Sequence, residues 1–333
     1  MKRLLIFDYN NIFVRSYIVD PTLSALGVPV GGVVGALKTT QKIIREVKPD
    51  QIIVAWDGSG GSKRRKQTNK NYKEGRKPIR LNRFIKGTLS EDQESDNRIW
   101  QMTRLFEYAS HMPIYQMIFD SVEADDIIAY VTQHEKYQDW QKVIVSSDKD
   151  FIQLLDNKTI LYRPTQKEIL NTNSVLERYN IHPNNFVVAR ACCGKADKSD
   201  GLSGAQGVGI KGVASRFPFL AESKIIGYYE IFAKCREEIE KKTKIKMYQK
   251  ILENQSIIEE NYKLMQLSSP SISIQTKQEI DIVLNKPHTP VAKTSILKMM
   301  VQDNILSFSW DVMYSRFNKI LLEQNKKEIN ENE

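Results

Sequence analysis

The chain reads as an α/β protein, with a mostly parallel central sheet carrying helices on both faces and a helical C-terminal part. Three observations predict this. Over the first half, short apolar runs rich in β-branched residues alternate with stretches of helical apolar spacing. Alternation of that kind calls for a sheet covered on both faces, because each crossover helix must pack back onto it. After about residue 180 the strand-like runs give way to long, charged helical patterns.

The elements follow in order. "RLLIFD" (3–8) predicts the first strand, and "GGVVGALKTTQKIIREVK" (31–48) a helix with an apolar stripe. "QIIVAWD" (51–57) predicts the second strand. Residues 58–95 then break the pattern with Gly, Ser, Lys and Arg and little to bury, so a segment that orders on a ligand is expected there. "NRIWQMTRLFEYAS" (97–110) and "EADDIIAYVTQHEKY" (123–137) predict helices around a third strand, "MPIYQMI" (112–118). "KVIVSSD" (142–148) and "TILYRP" (159–164) predict two more strands. "GLSGAQGVGIKGVA" (201–214) is punctuated by glycine, residues 222–265 are helical in pattern, and 295–321 is a helical stretch broken near Ser307. The expected units are an α/β core over 1–185 with the basic segment 58–95 inside it, a helical region over 186–325, and a flexible tail over 326–333.

Composition narrows the function. Hydrophobic residues make up 41% of 333, enough for a real core, and no apolar run approaches a membrane span. Asp8, Asn10, Asn11 and Arg15 interrupt the apolar N-terminus too early for a signal peptide. Cys192, Cys193 and Cys235 form neither a disulfide framework nor zinc spacing, so reduced thiols in a cytoplasmic protein are expected. The formal net charge is +9, and it is concentrated. Eleven cations lie between Gly58 and Lys86, among them Lys63, Arg64, Arg65, Lys66, Lys70, Lys73, Arg76, Lys77 and Lys86, against the single anion Glu74. A run so long and one-sided points to an anionic partner, most commonly a nucleic-acid backbone.

The acids obey a different rule. In open parallel sheets, ligands collect beyond the carboxyl ends of the strands. Asp8 ends the first predicted strand and Asp57 the second; the third leads to Glu123, Asp125 and Asp126; the fourth ends in "SSDKD" with Asp148 and Asp150. "DKSD" adds Asp197 and Asp200 at i, i+3, which would point one way from a helical turn. One Asp after a strand is ordinarily a cap or a turn residue. Four successive strands delivering acids to one edge are not explained by capping. Oxygen-only donors suit Mg²⁺ or Mn²⁺, and His111, His134, His182 and His288 sit outside these motifs. Setting the nine acids aside leaves 31 acidic residues against 49 basic ones, a surface of about +18. An acidic metal pocket inside a basic shell is what phosphodiester cleavage requires: the shell grips phosphates, and two ions roughly 4 Å apart serve the attacking and leaving oxygens.

The ordered set "FDYNN", "AWDG", "NYKEGRKP", "VEADD", "SSDKD" and "DKSDG…GVGIKG" resembles the structure-specific 5′ nucleases, the flap endonucleases and 5′→3′ exonucleases, and most of all their bacteriophage RNase H-type members. The resemblance runs from residue 1 to about 235 and implies a PIN-like core. It implies that Asp57, Glu123 and Asp125 hold a first metal with Asp8 helping through water. It likewise implies that Asp148, Asp150 and Asp200 hold a second with Asp197 in support. Asp125 or Asp126 would lie between the two, Asp126 either as a ligand or as a supporting group. Lys73 and Arg76 would fall on an active-site helix and meet the scissile phosphate, Tyr72 would stack on a terminal base, and Arg15 would reach the phosphate. The basic segment, with Lys63, Arg64, Arg65, Lys66 and Lys70, would form an arch over the site. "GAQGVGIKG" would belong to a helix–three-turn–helix element over 190–235, with Gly207, Gly209 and Lys211 at a duplex phosphate and K⁺ on backbone carbonyls.

The fifth motif departs from the family pattern: Lys195 and Ala196 separate Gly194 from Asp197, and Gly201, Leu202 and Ser203 follow Asp200. The expected partners are branched or 5′-ended DNA, RNA–DNA hybrids, and a single-strand-binding or other replication protein, with the enzyme a cytoplasmic monomer, in a host cell if phage-encoded. Two rival readings stand beside it. A PIN-type ribonuclease shares the sheet and the acids but not the arch or the glycine element. A junction-binding protein without chemistry would not need the full acid set.

Overall fold

The computed structural model describes residues 1–331 apart from Gly75, Lys77, Lys86, Lys198, Thr289 and Ser307, with side chains as far as Glu323. Six strands form one sheet: β1 (Arg3–Asp8), β2 (Gln51–Ala55), β3 (Tyr115–Met117), β4 (Gln141–Val145), β5 (Thr159–Arg163) and β6 (Glu168–Leu170). Their order is β3-β2-β1-β4-β5-β6. All neighbours are parallel except β5 and β6, which form an antiparallel edge. The mostly parallel α/β expectation therefore holds, with a three-residue sixth strand that carried no signal of its own.

The first half supplies helices α1 (Tyr9–Val19), α2 (Gly31–Val47), α3 (Lys63–Thr68), α4 (Glu91–Ser110), α5 (Ala124–Gln133) and α6 (Thr172–Tyr179). The second half is helical: α7 (Phe186–Ala191), α8 (Ile210–Arg216), α9 (Tyr228–Glu240), α10 (Lys246–Glu253), α11 (Gln255–Met265), α12 (Ile274–Asn285), α13 (Lys293–Gln302) and α14 (Asp311–Glu331). Among the described residues, no helix is long and apolar enough to cross a membrane.

The central strands are buried on both faces, and their period of two sorts side chains between two cores. Leu4, Ile6, Ile53, Ala55 and Ile144 join α5, α7, α8 and the helices through Leu284. Leu5, Phe7, Ile52, Val54, Val143 and Val145 join α1, α2 and α4. That second core also takes Ile296, Met299, Trp310, Met313 and Phe317, so α13 and α14 return to the N-terminal sheet. The cores thus cut across the expected boundary at 185–186.

Helix α1 was not expected, because no connecting loop separates it from β1. Asp8 is at once the last residue of β1 and the N-cap of α1, its carboxylate accepting the Asn11 N–H at 3.0 Å. The helical pattern over 222–265 is three helices, and α14 continues to Glu331 through the expected tail. The break expected near Ser307 falls between α13 and α14, though Ser307 itself, like Lys77 and Lys86 of the basic run, lies outside the described residues.

Candidate metal centre and nucleic-acid interface

The strand order reverses between β1 and β4, and the crevice beyond their carboxyl ends is where such a sheet binds ligands. Two short loops fill it. The Ser146 hydroxyl donates to Asp8 at 2.8 Å, and the Ser147 N–H donates to the Asn11 side chain at 3.1 Å, locking the β4 loop to the start of α1. Asp148 and Asp150 follow, with the Asp150 N–H donating to Asp148 at 2.9 Å. On the other side, Asp57 stands two residues past β2. Its carboxylate accepts from the Asn10 amide at 2.8 Å and from the Ala124 N–H at 2.9 Å, so it ties α1 to α5.

Glu123 and Asp125 are too close in sequence to share a helix face. The structure separates their backbones. Glu123 is the extended N-cap residue of α5, whereas Asp125 sits in the first turn. Glu123 can therefore reach the crevice from outside the helix. Asp197 and Asp200 come from an irregular turn, which corrects the expected helical turn. Asp197 accepts the N–H groups of Ser199 at 2.7 Å and Asp200 at 3.1 Å. A glycine, Gly201 at φ +76°, completes that turn against the carbonyls of Glu74 and Asn71. One oxygen each from Asp148, Asp150 and Asp197 lies within 4.8 Å of the others.

Crowding and burial set the charge. Burial, with Asp57 and Asp148 nearby, raises Asp8 to about 7 despite its hydrogen bonds. Burial and neighbouring carboxylates also push Asp125, Asp148 and Asp150 upward. Two acids behave in the opposite way. Burial opposes ionisation of Glu123, but Arg65 and Lys73 override it and hold its carboxyl below the usual range. Arg190 does the same for Asp197. A partly buried, oxygen-only set of carboxylates that repel one another fits a hard divalent cation.

The chain's own cations already lie against these acids. Arg65 of α3 pairs with Glu123 and, at 3.0 Å, with Asp126. Lys73 reaches Glu123 at 2.6 Å, Arg76 pairs with Asp200, and Arg190 of α7 bridges Asp150 and, at 2.7 Å, Asp197. The basic segment is therefore folded onto the acids. Arg64 and Arg65 also donate to the carbonyls of Ser271 at 2.8 Å and Leu264 at 3.0 Å, while Lys63, Lys66 and Lys70 face solvent.

Two expectations change here. Lys73 and Arg76 do not lie on a helix: Lys73 has φ +62° in a turn whose N–H donates to the Asp200 carbonyl at 3.0 Å. The Tyr72 ring is buried among Val187, Leu202, Leu264 and Met265, so it is not free to stack on a base, and its hydroxyl donates to Glu123 at 3.3 Å. Of the two roles open to Asp126, its contacts are those of a supporting group: one oxygen lies on Arg65, which also holds Glu123, and the other accepts the Ser271 N–H at 2.9 Å. Arg15 is exposed on α1 and lines a cavity of about 250 Å³ with Lys38, Asp20 and the Asn11–Ser147 pair that joins α1 to the β4 loop.

The glycine turn lies beyond Arg190. Gly207 has φ +78°, Gly209 precedes α8, and Lys211 is exposed on α8. The Gln206 carbonyl, in the turn expected to take K⁺, accepts from Lys250 of α10 at 2.9 Å.

Sequence reasoning missed Arg190, which sits inside the apolar string "FVVARACCG" and carries no local signal. It also missed the supporting roles of Asn10, Asn11 and Ser146, although each stood in a quoted motif.

Known proteins share this architecture. A family model described as the 5′-3′ exonuclease N-terminal, resolvase-like domain matches residues 3–180. A DNA polymerase I of Caldicellulosiruptor bescii is 29% identical over 218 residues, 63% of this chain and 23% of that protein. A 5′-3′ exonuclease of Aquifex aeolicus is 26% identical over 212 residues, 63% of this chain and 67% of that protein. The chain thus spans about a quarter of the polymerase it matches. Among solved structures, a bacteriophage T5 flap endonuclease in a complex with DNA and metal ions superposes with a TM-score of 0.63 at 17% identity. The match covers 90% of this chain and 100% of the other, and at that identity it speaks for the fold alone.

Proposed function

The chain belongs to the 5′-3′ exonuclease N-terminal-domain family, and from that premise we propose that it is a Mg²⁺-dependent, structure-specific 5′ nuclease. Its substrates on this reading are 5′-flap, nicked and RNA-primed duplexes, from which it releases nucleotides or short oligonucleotides with 5′-phosphate ends. The observation that carries the proposal is the convergence of acids from beyond β1, β2, β3 and β4 on one crevice, with Lys73 and Arg76 at its mouth.

Asp57, Glu123 and Asp125 would hold one ion, and Asp148, Asp150 and Asp200 the other. Asp8 and Asp197 would support them. Bound there, the ions would supply an activated water and a Lewis acid for the leaving 3′-oxygen. The chain's residues do the rest. Asn10, Asn11 and Ser146 fix Asp57 and Asp8. Arg190 bridges Asp150 and Asp197 and keeps Asp197 ionised. Lys73 and Arg76 stand on opposite acids, Glu123 and Asp200, so a phosphate entering between them meets two cations. Mn²⁺, with the same preference for oxygen, would substitute. K⁺ at the glycine turn would meet a Gln206 carbonyl that already accepts from Lys250. A replication protein as partner and a cytoplasmic setting complete the reading.

The test is a time course on end-labelled flap, nicked and RNA-primed duplexes in Mg²⁺, with product sizes read directly. Expected are 5′-phosphorylated products that vanish with chelator. Cleavage of single-stranded RNA in preference to every 5′-ended duplex would overturn the reading in favour of a ribonuclease.

A further inference from the structure

Beyond the glycine turn lies a row of cations with no assigned role. Residues 241–250, "KKTKIKMYQK", hold five lysines and no acid. Two of the five are engaged. Lys241 pairs with Glu237 and, at 3.4 Å, with Glu238, both on α9. Lys250 donates to the Gln206 carbonyl at 2.9 Å. Lys242, Lys244 and Lys246 are exposed and, among the described residues, form no ion pair.

Helix geometry says where this row faces. Lys246 and Lys250 are four residues apart on α10 and so share a face. Lys250 touches the glycine turn, and a Cβ on Gly207 would stand 3.0 Å from its ammonium. Met247, next in sequence, lies against α8, its sulfur 3.5 Å from where a Gly212 Cβ would be. Lys246 therefore projects on the side of the glycine turn and α8, where Lys211 is also exposed. Lys242 and Lys244 precede it in the exposed α9–α10 turn, where Lys242 has φ +57°.

We propose that Lys242, Lys244 and Lys246 form a second phosphate-binding track that continues the duplex-binding surface past the glycine turn, with Lys250 holding the two parts in register. The ligand is the backbone of double-stranded nucleic acid. This rests on the nuclease reading above but makes a separate claim, that duplex is gripped on α10 as well as at the turn. A solvated face would leave binding unchanged when its charges are removed. A phosphate track would not, because each lysine–phosphate pair releases a counterion.

The experiment compares salt dependence of binding in chelator, for a 5′-flap duplex and for a single-stranded oligonucleotide of equal length. The variants are Lys242→Gln/Lys244→Gln/Lys246→Gln and the corresponding triple arginine. When glutamine abolishes three lysine–phosphate pairs, the slope of log K against log salt on the duplex falls by about 2.7. Between roughly 50 and 200 mM salt the wild type then loses about fortyfold more affinity than the glutamine variant. The arginine variant keeps the wild-type slope, and single-strand slopes stay together. An unchanged duplex slope, or an equal loss on single strand and duplex, overturns the track. Failure of the nuclease reading would show differently, as a wild-type protein that cuts no 5′-ended DNA in Mg²⁺ whatever its slope.

Discussion

The crevice and the glycine turn are built on opposite plans. In the crevice, backbone topology does the work: strand ends set the acids side by side, where burial lifts four of them and Arg65, Lys73 and Arg190 hold two others down. At the turn, the groups are exposed lysines and backbone amides around glycines. A site for chemistry needs crowded charge that only a fixed scaffold can tolerate. A site for gripping a polyanion needs spaced charge that stays hydrated until the ligand arrives. Substitutions in the first should change whether bonds break; substitutions in the second should change how tightly, and at what salt, the duplex is held.

The largest effect tests the first half of that contrast. Asp148→Asn removes a charge from the centre of the cluster at nearly constant shape, and cleavage of flap DNA in Mg²⁺ should fall at least about a thousandfold. DNA binding should persist. Wild-type turnover by this variant would refute the site assignment.

The next effect is on stability. Asp8 moves from 3.8 to about 7 in the folded chain, and Asp125, Asp148 and Asp150 move the same way. The folded state thus keeps protons that the unfolded chain releases. Stability from these groups is full below the ordinary carboxylate range and is lost as pH rises through the raised values, with Asp8 alone worth on the order of 4 kcal/mol. Glu123 and Asp197, held low, act only below that range. In chelator, the melting temperature should fall between roughly pH 5 and pH 8, and Mg²⁺ should flatten the fall, since cations favour the ionised forms. A chelated protein equally stable at both pH values would show that these carboxylates are not crowded in solution.

The two regions also differed in how far they could be read from sequence. Asp8, Asp57, Asp125 and Asp148 were legible because a strand end is a local feature and the rule that ligands gather there is general. Arg190 was not, because its role depends on the fold bringing Asp150, 40 residues earlier, onto α7, a contact with no local mark. Tyr72 misled for the same reason: it stands in the right motif, but a small apolar cluster claims its ring. The basic run was legible as charge, not as a segment anchored on Glu123, Leu264 and Ser271. The return of α13 and α14 to the N-terminal sheet was hidden because apolar periodicity tells that a face is buried, not against what.

The smallest effect separates two glycines within the turn. Gly207 has φ +78°, which an L side chain adopts at a cost of about 1–2 kcal/mol. Its Cβ would also crowd the Lys250 ammonium at 3.0 Å, close to its bond with Gln206. Gly209 precedes α8 in ordinary extended backbone at φ −119°, with nothing within 4 Å of a built Cβ. Gly207→Ala should therefore lower the melting temperature by a few degrees and weaken duplex binding as the turn loosens. Gly209→Ala should leave stability within about 0.5 kcal/mol, yet still weaken duplex binding if a phosphate approaches its backbone, because the new methyl fills that open space. Thermal melts paired with duplex titrations distinguish the two. If Gly209→Ala melts as low as Gly207→Ala, the conformational account of the turn fails. If it melts normally and binds duplex as tightly as wild type, no phosphate comes near Gly209, and the surface that holds the duplex lies with Lys211 and the α10 lysines instead.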